Sequence, residues 1–77
     1  MKKKKYIMEI IDNHGINKGY YVNNDFKFST DISKAKSYIR ENDIDIMCKW
    51  FETESGHSGW KANKKLIEIY QVITIID

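Results

Sequence analysis

The 77-residue chain has no proline, one cysteine and four glycines. With a single cysteine no internal disulfide can form, which argues against a secreted mini-protein and fits a reducing cytoplasm. No apolar run approaches the roughly 20 residues that a membrane-spanning helix needs. Repeats, low-complexity blocks and linkers are also absent from the sequence. We therefore expect one small cytoplasmic domain that has no contact with a membrane.

The positive charge is concentrated at the start of the chain. Lys2 to Lys5 carry four charges, whereas the rest of the sequence has nine basic and eleven acidic residues. The apolar run that follows stops at Glu9 without a small-residue cleavage site, so a signal peptide is not expected. We expect residues 1–5 to be a disordered basic tail and residues 6–77 to form the domain. The tail can make weak, salt-sensitive contacts with nucleic acid through Lys2–Lys5.

Alternating apolar and polar residues predict several strands. The first strand covers Lys5 to Asp12, and the turn "DNHGINKG" leads into a second strand, "YYVN", to make a hairpin. The segment "DFKFS" predicts a short edge strand. The C-terminal "KLIEIYQVITII" is apolar on both faces, which is typical of a central strand.

Two segments carry helical patterns. Around Thr30 to Ser33 the sequence offers several N-cap residues, and the apolar residues that follow fall on one helical arc up to Ile39. Residues 43–54 fit a helix better than a strand, with Gly56 as the stop signal, although their Ile, Trp and Phe residues are also good strand formers. The predicted apolar arc of this second helix consists of Ile44, Ile46, Met47, Cys48, Trp50 and Phe51.

Together these elements predict an α+β fold. A small antiparallel sheet of three to four strands would carry two short helices packed on one face, in the order ββ(β)ααβ, with ββαββ as the alternative. Two helices can cover one face only, so the other face would be exposed and could form a homodimer interface. The residues expected on that outer face are Leu66, Tyr70, Val72 and Ile76.

Four stretches carry a family resemblance: "KYIMEI", "GYYV", "FKFSTDISKAKSY" and "EIYQVITI". In this order they resemble small phage and prophage proteins of AT-rich Gram-positive bacteria. The resemblance implies a protein that binds and inhibits a host protein, such as a nuclease of a defence system, as anti-CRISPR proteins do. It names no target, and residues 54–63, "ESGHSGWKAN", depart from the pattern.

The sequence predicts no catalytic residues, metal or cofactor. His14, Cys48 and His57 are scattered and lack the spacing of a zinc site. Cys48 falls on an apolar helical arc, where a buried inert thiol is the usual case. Gly56 and Gly59 do not precede a helix with a phosphate-binding Lys-Ser/Thr pair. We therefore expect a protein that is not an enzyme.

Two features predict partner binding. Glu41, Asp45 and Glu52 share one side of the second predicted helix and suit a basic, nucleic-acid-binding groove of a host protein. A solvated helix face is the more common explanation of such a pattern. Trp60 is either a lid on the core or an exposed contact. The predicted partner-binding residues are Glu41, Asp45, Glu52, Trp60, Lys61 and Tyr70. The alternative function is that of a small nucleic-acid-binding accessory protein using the lysine tail and surface tyrosines.

Overall fold

The computed structural model describes residues 3–22, 27–69 and 73–76. The strands are β1 (Lys3–Ile11), β2 (Asn17–Val22), β3 (Lys27–Ser29), β4 (Lys61–Ile69) and β5 (Ile73–Ile75), and the helix α1 is Glu41–Glu54. They form one antiparallel sheet in the order β3-β2-β1-β4-β5. The α+β class is confirmed, but the described chain has five strands and one α-helix rather than three to four strands and two helices. No helix in this part of the chain is long and apolar enough to cross a membrane.

The helix predicted from Thr30 to Ile39 is wrong. Only a three-residue 3-10 helix forms, Ile32–Lys34, capped by the Asp31 carboxylate, which accepts the Ser33 amide at 3.0 Å. Beyond it, Tyr38 exchanges both backbone hydrogen bonds with Tyr6 of β1, at 2.7 and 2.8 Å. The segment thus forms an antiparallel bridge with β1, on the same edge of β1 that pairs with β2. Strand pairing outweighs the local helical preference here.

The second predicted helix is confirmed. α1 starts two residues before the predicted boundary and ends at Glu54, and Gly56 follows with a φ of +86°. Ile44 and Phe51, two turns apart, are fully buried. They pack into a cluster with residues of β1, β2 and β4 that includes Met8, Ile10, Tyr21 and Ala62. Ile46, although it is part of the predicted apolar arc, lies outside the core, and 57% of its surface is exposed.

The C-terminal segment is two strands rather than one. β5 folds back on β4, with Ile67 opposite Ile75 and Ile69 opposite Ile73. Tyr70 and Val72 lie outside the described residues. The predicted outer face is also reversed, because Leu66 pairs with Tyr6, which packs against the cluster beneath α1. A strand that is apolar on both faces gives no sequence signal for which face meets the helix.

The first lysines belong to the sheet. β1 begins at Lys3, and Lys3 to Lys5 pair with Ile69 to Ile67 of β4. The tail expected over residues 1–5 is therefore strand from Lys3 onward, because paired backbone groups hold these residues in place.

Phe51→Ala should lower the free energy of unfolding by about 3–5 kcal/mol, because it leaves a cavity beneath α1. The matched control Ile46→Ala removes an exposed side chain of the same helix and should cost about 0.5 kcal/mol or less. Urea unfolding followed by circular dichroism measures both. Equal losses in the two variants would contradict this orientation of α1.

Candidate functional site

Two of the predicted partner-binding acids contact a lysine of the sheet. Lys64 Nζ of β4 lies 2.7 Å from Glu41 Oε2 and 2.8 Å from Asp45 Oδ1. The hydrogen bonds that Lys64 donates to Asp45 and Glu41 raise the pKa of its ammonium group above the usual value. These carboxylates hold the first turns of α1 against β4. Partner binding by Glu41 and Asp45 stays a prediction, but the structure gives both residues an internal role.

Glu52 also binds β4. Its Oε2 accepts the backbone N–H of Ala62 at 2.9 Å. Ala62 lies in the part of β4 that β5 does not pair with, so the carboxylate satisfies a donor on an open strand edge. Glu41, Asp45 and Glu52 do share one side of α1, as the sequence predicts, and that side is turned toward β4.

Trp60 closes an aromatic cluster at the other end of α1. Its ring centroid lies 4.5 Å from that of His57 and 5.7 Å from that of Phe28. The His57 ring stacks on Phe51 at 5.3 Å with an interplanar angle of 15°. Trp60 is half-buried against the core cluster, which favours the lid over the exposed contact. Lys61, next in sequence, is exposed at the start of β4, and Tyr70 lies outside the described residues.

The glycines of "ESGHSGWKAN" serve the turn. Gly56 and Gly59 have φ values of +86° and +80°, which L-residues with a side chain rarely adopt. A Cβ at Gly59 would also come within 3.1 Å of Asn13 Cβ. The loop borders an open depression of about 200 Å³, which is lined by Glu52, Thr53 and residues 56–59.

Cys48 and His57, the side chains most suited to catalysis, are engaged in burial and local hydrogen bonding. Burial, reinforced by the charges of Glu52 and Asp45, raises the pKa of the Cys48 thiol to about 11. His57 Nδ1 lies 3.2 Å from Ser55 Oγ, which also donates to the Phe51 carbonyl at 2.6 Å. Among the described residues no three His, Cys, Asp or Glu side chains group so as to hold a metal ion.

The sheet face opposite α1 carries a lysine array that the sequence reading missed. Directly paired residues of neighbouring strands point to the same face. Lys5 pairs with Ile67, while Lys65 pairs with Ile7, two residues farther along β1. Following this register across the described strands places five lysines on the helix-free face, against one acidic residue, Glu9. We call this surface the lysine face; its lysines are Lys3, Lys5, Lys27, Lys61 and Lys65.

Among the described residues, the lysine face also carries apolar side chains and one aromatic ring. Ile7 and Ile67 lie on this face and are 0% and 2% exposed, although neither belongs to the cluster beneath α1. Tyr20 pairs with Glu9 and is half-buried on the same face, whereas Tyr21 points into the core. The expectation that the two tyrosines point to opposite faces, with one in the core, is confirmed.

Charge is therefore segregated between the two layers of the molecule. α1 contains five acidic residues and a single lysine, Lys49, and it covers the opposite face of the sheet. The net charge of the whole chain hides this separation, because the positive charge of the lysine face and the negative charge of α1 nearly cancel. The available signal was the even spacing within each pair, two residues from Lys3 to Lys5 and four from Lys61 to Lys65, which places each pair on one face of a strand.

Trp60→Ala should lower the free energy of unfolding by about 1–3 kcal/mol. This is less than the loss expected for a fully buried aromatic ring, because the Trp60 ring is only half-buried. Trp60→Phe, which keeps a ring against His57 and Phe28, should lose less than half as much. Urea unfolding measures both variants. An unchanged stability in Trp60→Ala would contradict the lid and favour the exposed contact.

Cys48 should react slowly with iodoacetamide at pH 8. A thiol pKa of about 11, against the ordinary 9.0, lowers the thiolate fraction on the order of 100-fold. Mass spectrometry of timed samples measures the rate, and the same protein in 8 M urea is the matched control. Equal rates in the folded and unfolded protein would contradict the burial of this thiol.

Comparison with known proteins gives no relative. The chain matches no protein-family model, no curated protein sequence and no solved structure. The phage resemblance therefore stays a prediction, and the function has to be argued from the surface of this molecule.

Proposed function

We propose that this protein is a non-enzymatic nucleic-acid-binding protein that contacts phosphate groups through the lysine face. The observation that carries the proposal is the ratio of five lysines to one acidic residue on the described strands of the face opposite α1. Phosphate neutralisation by lysine supplies most of the affinity of non-specific nucleic-acid binding.

The dimensions of the lysine face suit a strand of nucleic acid. The lysines lie on β1, β3 and β4, which span three strand spacings, roughly 14 Å. Along β1 and along β4, alternate residues are separated by roughly 7 Å. The array is thus a broad strip of dispersed cations, which matches a chain of phosphates better than a single small anion.

Tyr20 adds a contact that charge alone does not provide. It lies on β2 between the lysine of β3 and the lysines of β1 and β4. An aromatic ring on a sheet surface can stack on an unpaired base, and such stacking tolerates any base. The combination favours single-stranded nucleic acid over a duplex, whose bases are not free to stack.

The acidic helix α1 also favours binding of nucleic acid on the lysine face. α1 presents its negative charges on the other side of the molecule, so a polyanion is repelled there and attracted to the lysine face. Glu9 lies at the centre of the lysine face, diagonal to both Lys61 and Lys65. Glu9 weakens the attraction for phosphate, but the net charge of the lysine face stays positive.

The first function predicted from sequence, modulation of a host protein such as a defence nuclease, has less support from the predicted residues. Glu41, Asp45 and Glu52 are engaged by Lys64 and Ala62 of the same chain. A homodimer through the helix-free face would compete with nucleic acid for the same lysines. Both stay predictions that the binding experiment below helps to separate.

Fluorescence anisotropy with a labelled 20-nucleotide single strand tests the proposal. The double variant Lys5→Gln with Lys65→Gln should weaken binding about tenfold at 100 mM salt. It should also lower the slope of log K against log salt by about 1.4, at roughly 0.7 per phosphate contact on a single strand. The matched control is Lys4→Gln with Lys49→Gln, which removes the same charge from the other layer.

The control variant should bind almost as the wild type does. Equal weakening in both double variants would show that net charge, and not the lysine face, determines binding. No binding to single-stranded DNA or RNA at 50 mM salt would overturn the proposed function. Tighter binding to a 20-base-pair duplex than to either single strand would contradict the role given to Tyr20.

A further inference from the structure

A second surface lies on the flank of α1 that faces away from Lys64. Asp43, Ile46, Trp50 and Glu54 follow one another at spacings of three, four and four residues, which places them in one row along the helix. We call this row the outer stripe. It extends over roughly 16 Å at 1.5 Å per residue.

The outer stripe combines an exposed apolar side chain, Ile46, with Trp50, which packs partly against the core cluster. Ile46 is 57% exposed, and Trp50 is half-buried, with its ring 6.5 Å from that of Tyr21. Ile39, just before α1, is 76% exposed. The helix already fills the core with Ile44 and Phe51, so burial in the monomer does not account for Ile46.

The charges at the ends of the outer stripe are acidic. Asp43 and Glu54 are both exposed, and unlike Glu41 and Asp45 they lie on the side of the helix away from Lys64. Lys49 lies on α1 between Ile46 and the flank that carries Glu41 and Asp45, so it marks the border of the outer stripe. Tryptophan is enriched in interaction hot spots, and here Trp50 and the exposed Ile46 form an apolar centre with polar residues at both ends, as in the core and rim of an interface.

We infer that the outer stripe is a docking surface for a basic amphipathic segment of another protein, with an apolar side chain on Ile46 and Trp50 and cations near Asp43 and Glu54. The inference is independent of the proposed function, because the stripe lies on the other layer and its charge repels nucleic acid. A protein partner is also what the sequence predicts, but the proposed contact is on the flank of α1 opposite Glu41, Asp45 and Glu52.

Titration of the ¹⁵N-labelled protein with synthetic 16-residue peptides tests the inference. The probe is an amphipathic helix of leucine and lysine; one control peptide replaces leucine by serine and another replaces lysine by glutamate. The leucine–lysine peptide should shift amide signals along the outer stripe with a Kd near or below 100 μM. Each control peptide should bind at least tenfold more weakly, because the surface needs both apolar contact and positive charge.

The variant Ile46→Ser with Asp43→Asn should weaken the leucine–lysine peptide at least tenfold, and its amide spectrum reports whether it stays folded. The matched control, Glu41→Gln, removes an acid from the other flank and should leave peptide affinity within twofold. Shifts centred on Glu41 and Asp45, or equal binding by the serine peptide, would overturn the inference. So would self-association in sedimentation that Ile46→Ser abolishes, since the occupant would then be a second copy.

The two proposals can fail separately. Ile46→Ser with Asp43→Asn should leave oligonucleotide affinity within twofold, and Lys5→Gln with Lys65→Gln should leave peptide affinity within twofold. Loss of both activities in either variant would contradict the assignment of two independent surfaces.

Discussion

The packing of Phe51 and Ile44 against the sheet determines the rest of the molecule. Both side chains are fully buried in the cluster that joins α1 to β1, β2 and β4. A helix packed in this way covers one face of the sheet only. The face opposite α1 carries the buried Ile7 and Ile67, further isoleucines toward β5, and the lysines of the described strands. One hydrophobic contact thus separates a basic layer from an acidic one.

Polar contacts at the helix–sheet boundary reinforce this arrangement. Lys64 bridges Glu41 and Asp45, and Glu52 accepts the Ala62 amide. Exposed ion pairs of this kind contribute little stability on their own. Their effect is on orientation, because they turn one flank of α1 toward β4 and leave Asp43, Ile46 and Glu54 on the other flank.

The sequence predicted those parts of the fold that local patterns determine. The second helix, its end before Gly56, the first hairpin and the β3 edge strand follow from periodicity and turn residues. The helix expected at residues 30–39 failed because Tyr38 finds backbone partners on Tyr6, which no local pattern records. The lysine face was missed for a similar reason. Lys5 and Lys65 are sixty residues apart, and only the β1–β4 register places them on one face.

The central claim is that the sheet face opposite α1 binds nucleic acid. Amide chemical-shift mapping of the ¹⁵N-labelled protein with an unlabelled single-stranded oligonucleotide tests it most directly. The account predicts shifts at Lys5, Tyr20 and Lys65 that diminish as salt is raised, with α1 largely unaffected. Shifts confined to α1, or no shifts at 50 mM salt, would contradict it.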